Sequence, residues 1–189
     1  MREPVISMRL FLGIPLPPDT SGQLSRISLR YQSPSDNLRW YPPESWHITL
    51  QFLGSVPPEG HNCILPAICD LHHPPVPIAL DALGFFDRAG VFFAQVALTP
   101  ELLSLQRRVT AATFPCGFPP DTRPYRPHIT LARSKGRAGA RTLRALQSQL
   151  AARPYSLSAA FTAAEFVLYE SIATPSGSLY EIRDRFPLS

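Results

Sequence analysis

The tetrapeptide His-Ile-Thr-Leu occurs twice in this chain, at positions 47–50 and again at positions 128–131. Each copy contains an imidazole, which gains or loses a proton near neutral pH, and a hydroxyl, which donates hydrogen bonds to an anion. Both copies lie in segments whose residue types predict strands. Because side chains alternate along a strand, the imidazole and hydroxyl of each copy should share one face and the two aliphatic side chains the other.

Two such strands facing one cleft would present His47, His128, Thr49 and Thr130 to a single small anion. One imidazole could then accept a proton while the other donates one. The alternative is a pair of ordinary half-buried strands whose histidines coincide by chance. The residues alone leave both interpretations open.

The basic residues restrict the chemistry further. Lysine occurs once, as Lys135, and the other 17 of the 18 basic residues are arginine. The sequence around Lys135 lacks the phosphate-binding P-loop pattern and the lysine motif of ATP-dependent ligases, so both classes are disfavoured. The net charge of +4 suits an anionic partner without identifying one.

Cysteines, histidines and hydropathy suggest a cytoplasmic protein without a metal or cofactor. The odd number of cysteines, Cys63, Cys69 and Cys116, argues against a disulfide framework and for a reducing compartment. Two of them could form a metal site with His72 and His73, but the spacing lacks the usual paired frame, and helix packing is favoured. No apolar run reaches the length of a membrane span, and the N-terminal segment lacks a signal-peptide cleavage site. We therefore expect no membrane partner.

The order of elements predicts an α+β fold. Strands are predicted at 7–14, 38–41, 46–53, 76–85, 91–98, 126–132, 155–169 and 179–186, and helices at 19–31, 58–71, 101–113 and 137–152. Asp19 or Ser21 is the expected cap of the first helix. Short connections between clustered strands favour antiparallel sheet. Since no linker rich in glycine or serine interrupts the chain, residues 1–189 are expected to form a single domain, with 1–6 as a loose extension.

Several segments in order resemble one known family. They are residues 9–15, residues 39–40 followed by 47–54, residues 83–86, residues 127–133, and residues 180–188. Together they resemble the 2H phosphoesterases, and among these the RNA 2′,3′-cyclic phosphodiesterases, also called LigT-like proteins or 2′-5′ RNA ligases. The resemblance covers nearly the whole chain.

This resemblance implies one bilobal domain: two pseudo-symmetric lobes with antiparallel sheets around a central cleft, flanked by helices. It also implies metal-independent opening of a terminal 2′,3′-cyclic phosphate of RNA to a 2′-phosphomonoester. His47 would be the general acid and His128 the general base. Thr49 and Thr130 would donate hydrogen bonds to the phosphate, and Arg133 would offset its growing negative charge.

The predicted role of Arg133 carries a geometric condition. Arg133 lies five residues after His128, so on an unbroken strand the two side chains would face opposite ways. Arg133 must lie past the end of the strand or beyond a β-bulge to reach the cleft. Otherwise it is a solvated surface arginine.

The expected partners are RNA ends bearing a 2′,3′-cyclic phosphate, or small cyclic nucleotides, and the expected state is a monomer. Two alternatives remain open: reversible 2′-5′ RNA ligation in the same cleft, and a non-catalytic RNA-binding or nucleotide-binding module. Arg123 and Arg126 are candidates for an RNA-accepting rim. Five aromatic residues are mainly core candidates, of which one or two could stack on a base: Trp40, Trp46, Phe85, Phe86 and Tyr125.

Overall fold

A computed structural model of the protein describes residues 7–155, 157–175 and 177–189. The predicted N-terminal extension, residues 1–6, lies outside the described residues. The elements follow in this order: β1 Met8–Pro15, α1 Pro18–Tyr31, β2 Leu38–Trp40, β3 His47–Val56, α2 Pro58–Cys69, β4 Val76–Phe86, β5 Val91–Val96, α3 Pro100–Thr113, β6 His128–Ser134, α4 Gly136–Ala152, β7 Ala159–Ala163, β8 Glu165–Thr174 and β9 Gly177–Pro187.

The strands form two antiparallel sheets, and each sheet holds one copy of the repeated tetrapeptide. The four-stranded sheet has the order β3-β1-β8-β9, and the five-stranded sheet has the order β2-β6-β5-β4-β7. Although β3 and β6 belong to different sheets, they lie close to each other. The predicted α+β class with antiparallel sheets and flanking helices is confirmed.

One hydrophobic core joins both sheets and packs against all four described helices. The aliphatic residues of the two tetrapeptides, Ile48, Leu50, Ile129 and Leu131, are at most 2 % exposed. Full burial of one such side chain stabilises the fold by about 1.5–3 kcal/mol. The back of each motif strand is thereby anchored, and its histidine face points away from this core.

The first helix begins differently from the prediction. Pro17 is the N-cap residue, Pro18 opens α1, and no side chain caps the helix. The expected capping role of Asp19 or Ser21 is therefore wrong. Proline suits the first helical position because its fixed φ matches the helix and its missing N–H would have no partner there.

The predicted strand 155–169 is also wrong, because it is two strands in different sheets. β7 pairs with β4 in the five-stranded sheet, and β8 pairs with β1 and β9 in the four-stranded sheet. Ala164 lies at the change of sheet, where its carbonyl accepts a hydrogen bond from the amide of Leu188. No glycine or proline marks this corner, so the apolar pattern reads as continuous.

The cysteines likewise differ from the expectation that they form no disulfide. Cys63 of α2 is bonded to Cys116, which lies in the turn after α3, with their Cα atoms 5.7 Å apart. Cys69 is free and exposed. An odd cysteine count could not exclude one bridge, because the two partners are separated by 53 residues in sequence and meet only in the fold.

None of the helices in the described part of the chain has the length and apolar character needed to cross a bilayer.

We predict that Cys63→Ser or Cys116→Ser lowers the melting temperature by about 10 °C, since a crosslink that closes a loop of this length stabilises a fold by about 2–4 kcal/mol. Thermal unfolding by circular dichroism, with and without reductant, measures the effect. Cys69→Ser is the matched control and should melt like the parent. Equal melting temperatures for all three variants and the parent would contradict the prediction.

Candidate active site

The two motif strands show the same order of exposure, residue by residue. In 47–52 and in 128–133 the histidine and threonine are partly exposed, while the isoleucine and leucine are buried. The next residue is buried as well, and the one after it is exposed. Strict alternation is therefore broken at the same place in both strands.

A β-bulge at Leu131 produces this break in β6. Phe92 of β5 is opposite Ala132, but Phe93 is opposite Thr130, so Leu131 is an extra residue. Because the bulge shifts the alternation by one, Leu131 and Ala132 both point into the core, and Arg133 emerges on the side of His128 and Thr130. The geometric condition for Arg133 to reach the histidine face is thus met.

β3 has the corresponding bulge at Leu50. Gln51 lies opposite Leu12 and Thr49 opposite Gly13, which leaves Leu50 unpaired. The position that corresponds to Arg133 is occupied by Phe52, which is 71 % exposed. One half of the site therefore offers a guanidinium where the other offers an aromatic ring.

Both imidazoles are oriented by the same local hydrogen bond. The Nδ1 atom of His47 lies 2.8 Å from the carbonyl oxygen of Ser45, and that of His128 lies 2.8 Å from the carbonyl oxygen of Arg126. A carbonyl oxygen only accepts, so Nδ1 must carry a proton in each ring. In the neutral form, Nε2 is then left to accept a proton.

Three aromatic rings surround His47 on the four-stranded sheet. The ring centroids of Phe11, Tyr180 and Tyr169 lie 4.6, 5.1 and 5.3 Å from the imidazole. Tyr180 meets the imidazole edge to face, at an interplanar angle of 89°. The rings displace water from around His47, which disfavours its charged form.

The pKa of His47 is accordingly lowered from 6.5 to about 4. Burial is the main cause, and the charge of His128 lowers the pKa further, while the hydrogen bond to Ser45 opposes both effects. His47 is therefore neutral at pH 7 in the ligand-free protein. The strands that carry the two rings, β3 and β6, lie close to each other.

His128 has a similar but more open environment. Phe86 and Phe93 lie 4.9 and 5.3 Å from its ring, both in T-shaped contact. Burial lowers the pKa of His128, the hydrogen bond to the Arg126 carbonyl raises it, and the charges of Arg133 and Arg126 lower it. Two guanidinium groups thus face the same region as this imidazole.

Gly13 allows β1 to approach the backbone of β3 closely beside His47. A Cβ atom there would lie 3.0 Å from the carbonyl oxygen of Ile48, 3.4 Å from the ring of Tyr169 and 3.6 Å from the ring of His47. The first distance is shorter than nearly all real Cβ contacts. Glycine at this position therefore avoids a close contact between β1 and the Ile48 carbonyl oxygen of β3.

Gln51 and Tyr125 hold β3 from neighbouring elements. The Gln51 amide donates to the carbonyl oxygen of Phe118 at 3.1 Å and accepts from the hydroxyl of Thr113 at 2.7 Å. Tyr125 donates its hydroxyl proton to the carbonyl oxygen of Thr49 at 3.0 Å. These bonds fix the strand that carries the first motif.

The two rim candidates have different surroundings. Arg126 stacks over the ring of Phe86, 5.2 Å from its centroid, beside His128. Arg123 instead forms an exposed ion pair with Asp121 at 2.5 Å. Of these two arginines, Arg126 is the one that lies at the histidine face.

The other aromatic candidates lie mostly in the core. Trp46 is 3 % exposed, and Trp40 and Phe85 pack partly buried against the core. Phe86 differs, because its ring contacts His128.

Tyr180 was missed by sequence reasoning as a site residue. Burial raises the pKa of its phenol, as does Tyr41, whereas the charges of Arg133 and Arg39 lower it. Its ring contacts His47 of its own sheet, while the arginines that lower its pKa belong to strands of the other sheet. No local spacing links Tyr180 to the motifs, because it reaches His47 only through strand pairing across three strands.

The arrangement suits proton transfer on a bound anion. Histidine and threonine share a face on each of the two motif strands, and the bulge in β6 adds Arg133 to the face of His128 and Thr130. Within the described ranges, no group of three or more histidine, cysteine, aspartate or glutamate side chains converges to hold a metal ion. The cluster considered around Cys63 is replaced by its disulfide.

We predict that Tyr180→Ala raises the pKa of His47 from about 4 toward 6.5, because removing the ring readmits water that stabilises the imidazolium. An NMR titration of the histidine ring protons measures this shift. Tyr155→Ala, which removes an aromatic ring outside the site, should leave the His47 titration unchanged. A His47 midpoint that is the same in Tyr180→Ala as in the parent would refute the explanation by burial.

Comparisons with known proteins relate the sequence and the fold of this chain to one family. A relative from Geobacillus stearothermophilus named RNA 2′,3′-cyclic phosphodiesterase is 34 % identical over 94 % of this chain, which spans 56 % of that relative's length. One of the same name from Methanocaldococcus jannaschii is 27 % identical over 93 % of this chain and 98 % of the relative. The crystal structure of E. coli LigT complexed with 3′-AMP superimposes with a TM-score of 0.78 at 23 % identity, covering 97 % of this chain and 99 % of LigT. The model of the 2′-5′ RNA ligase superfamily matches residues 16–173, and the chain belongs to that superfamily.

Proposed function

We propose that this protein hydrolyses the terminal 2′,3′-cyclic phosphate of RNA to a 2′-phosphomonoester, using His47 and His128 as a general acid and base without a metal ion. The relatives named RNA 2′,3′-cyclic phosphodiesterase, two of which match over nearly their full length, support this assignment. The single observation that carries the mechanism is the matched pair of imidazoles, each with Nδ1 on a carbonyl and Nε2 available.

The reaction requires two proton transfers. The oxygen of water forms a bond to phosphorus while the bond from phosphorus to O3′ breaks. Water gives its proton to Nε2 of neutral His128, and protonated His47 gives its Nε2 proton to O3′. The two histidines come from different sheets, which favours placing them on opposite sides of the phosphorus for in-line displacement.

The threonine hydroxyls can donate hydrogen bonds to the phosphate, and the guanidinium offsets its negative charge. Thr49 and Thr130 each lie two residues after a histidine on the same strand face, so their hydroxyls can donate to non-bridging oxygens. The bulge at Leu131 turns Arg133 toward this face. Its planar fork stabilises the charge that grows on the phosphate in the transition state.

The assignment of His47 as the acid demands help from the substrate. With a pKa of about 4 in the free protein, His47 is protonated in only a small fraction of molecules at pH 7. A phosphodiester anion beside the ring favours its charged form and raises that pKa. Binding of the substrate therefore prepares the acid for the reaction.

We expect His47→Ala and His128→Ala each to reduce kcat/KM for a cyclic-phosphate RNA by about 10²–10⁴-fold while the melting temperature is kept. Product analysis should show a 2′-phosphate, and activity should persist in EDTA. His72→Ala is the matched control, because His72 makes the same type of Nδ1 hydrogen bond, to the carbonyl oxygen of Asp70, on the exposed surface.

A modified substrate separates the two roles. With sulfur in place of O3′, the leaving group needs no proton, so turnover by His47→Ala should recover while that by His128→Ala should not. If turnover recovered in His128→Ala but not in His47→Ala, the roles of acid and base would have to be assigned the other way round. Parent-like turnover of the normal substrate by either alanine variant would contradict the paired mechanism.

The pH dependence follows from the lowered pKa values. Activity rises with pH as His128 loses its proton, which happens below pH 6.5 because its pKa is lowered. Activity falls again as His47 loses its proton. The bell-shaped profile of kcat/KM, which reports the free enzyme, should therefore have its maximum below pH 6.5. The kcat profile should lie at higher pH, since bound phosphate raises both values. A kcat/KM maximum on the alkaline side of neutrality would contradict this.

The remaining sequence-based expectations stay predictions. They are a monomer, a single bilobal domain and a cytoplasmic location. The bond between Cys63 and Cys116 is of a kind more common outside the reducing cytosol. Fractionation and light scattering would test location and monomeric state.

A further inference from the structure

A cavity of about 430 Å³ borders the His47 side of the site. Its walls come from Tyr169, Tyr180 and Ile182 of β8 and β9, from Glu44 and Trp46 in the turn before His47, and from the start of α1. We call it the tyrosine pocket. Its volume lies within the range that binds small organic ligands.

The tyrosine pocket lies next to His47 and shares two aromatic rings with it. The Tyr169 and Tyr180 rings that line it also pack against His47, with centroids 5.3 and 5.1 Å away. Trp46 is the neighbour of His47 in the chain, and Pro15, which pairs with His47 across the sheet, also lines the pocket. A group in the pocket would contact rings that also contact the imidazole.

The lining suits a neutral aromatic heterocycle and opposes a phosphate. It consists mainly of proline, leucine, isoleucine, tyrosine and tryptophan side chains, and none of its described lining residues is arginine or lysine. Its polar groups include the Glu44 carboxylate, which only accepts hydrogen bonds, and the Ser21 hydroxyl. A carboxylate repels a phosphate and attracts an amino group.

We propose that the tyrosine pocket binds the nucleobase of the terminal ribonucleotide, and that Glu44 accepts a hydrogen bond from its exocyclic amino group. This inference rests on the proposed function. With His47 protonating O3′, the ribose lies on the His47 side of the phosphorus, and its base is then within reach of the pocket. The protein therefore prefers bases that carry an exocyclic amine.

Cytidine and uridine 2′,3′-cyclic phosphates test the hydrogen bond, because their bases have nearly the same shape and differ at position 4 by an amino group against an oxygen. The parent enzyme should favour the cytidine substrate by about tenfold in kcat/KM, the size of one hydrogen bond to a partly solvated charge. Glu44→Gln, whose amide can donate to the uracil oxygen, should remove or invert that preference. Glu59→Gln, an acid-to-amide change in the first turn of α2, is the matched control and should keep it.

A base-free ribose 2′,3′-cyclic phosphate tests the pocket itself. Ser21→Trp fills the pocket and should lower the ratio of kcat/KM for the cytidine substrate to that for the base-free substrate by about tenfold. Ser25→Trp places the same side chain one turn further along α1, outside the pocket lining, and should leave the ratio unchanged.

The outcomes separate the inference from the function on which it rests. If the parent turns over all three substrates but shows no cytidine preference, and neither Glu44→Gln nor Ser21→Trp alters a ratio, the base binds elsewhere and the inference is wrong while the proposed function stands. If the parent turns over neither these three substrates nor a cyclic-phosphate RNA, both fail. Should Ser21→Trp not fold, the cytidine-to-uridine ratio of Glu44→Gln decides.

Discussion

An extra residue in each of two strands determines which side chains can meet a substrate. The pleat of a regular strand would place the side chains of His128 and Arg133 on opposite faces. The bulge at Leu131 adds one residue on the core side, so the imidazole and the guanidinium emerge together. The same irregularity at Leu50 turns Phe52 to the face that His47 and Thr49 already share through ordinary alternation. The polar face depends on aliphatic anchoring behind it, because a slip by one residue would exchange the two faces.

Burial of His47 by aromatic rings disfavours the protonated imidazole in the free protein but favours it when a phosphate is bound. The rings around it remove water and disfavour its charge, so the free protein holds a neutral imidazole at pH 7. The same lack of water strengthens the attraction between a proton on the ring and a phosphate beside it. A histidine with an ordinary pKa would gain less from the arrival of the substrate. The environment thus couples protonation to binding.

Much of this could be predicted from the sequence. The repeat revealed the paired histidines, and strand periodicity placed the threonines beside them. Reasoning about alternation also identified the condition that Arg133 lie past the end of the strand or beyond a bulge, and the structure has the bulge. The exact residue of the bulge could not be predicted, because it depends on pairing with β5, which no local pattern encodes.

Other features escaped prediction because they arise from contacts distant in sequence. The contact of Tyr180 with His47 is made across the sheet, and the disulfide joins residues 53 positions apart. The strand break at Ala164 has no turn residue to mark it, so its change of sheet follows from packing alone. In each case the sequence contains the residues, but no local pattern shows which of them are in contact in the fold.

The amide of Gln51 shows where the likeness between the two halves ends. Its nitrogen meets a carbonyl and its oxygen meets a hydroxyl, so a rotated amide would set two acceptors against each other. The equivalent position in the other strand is Ala132, which has no polar atom to orient. The near-twofold likeness of the two motif strands is therefore confined to their histidine faces. On the core side, each strand is held by different contacts.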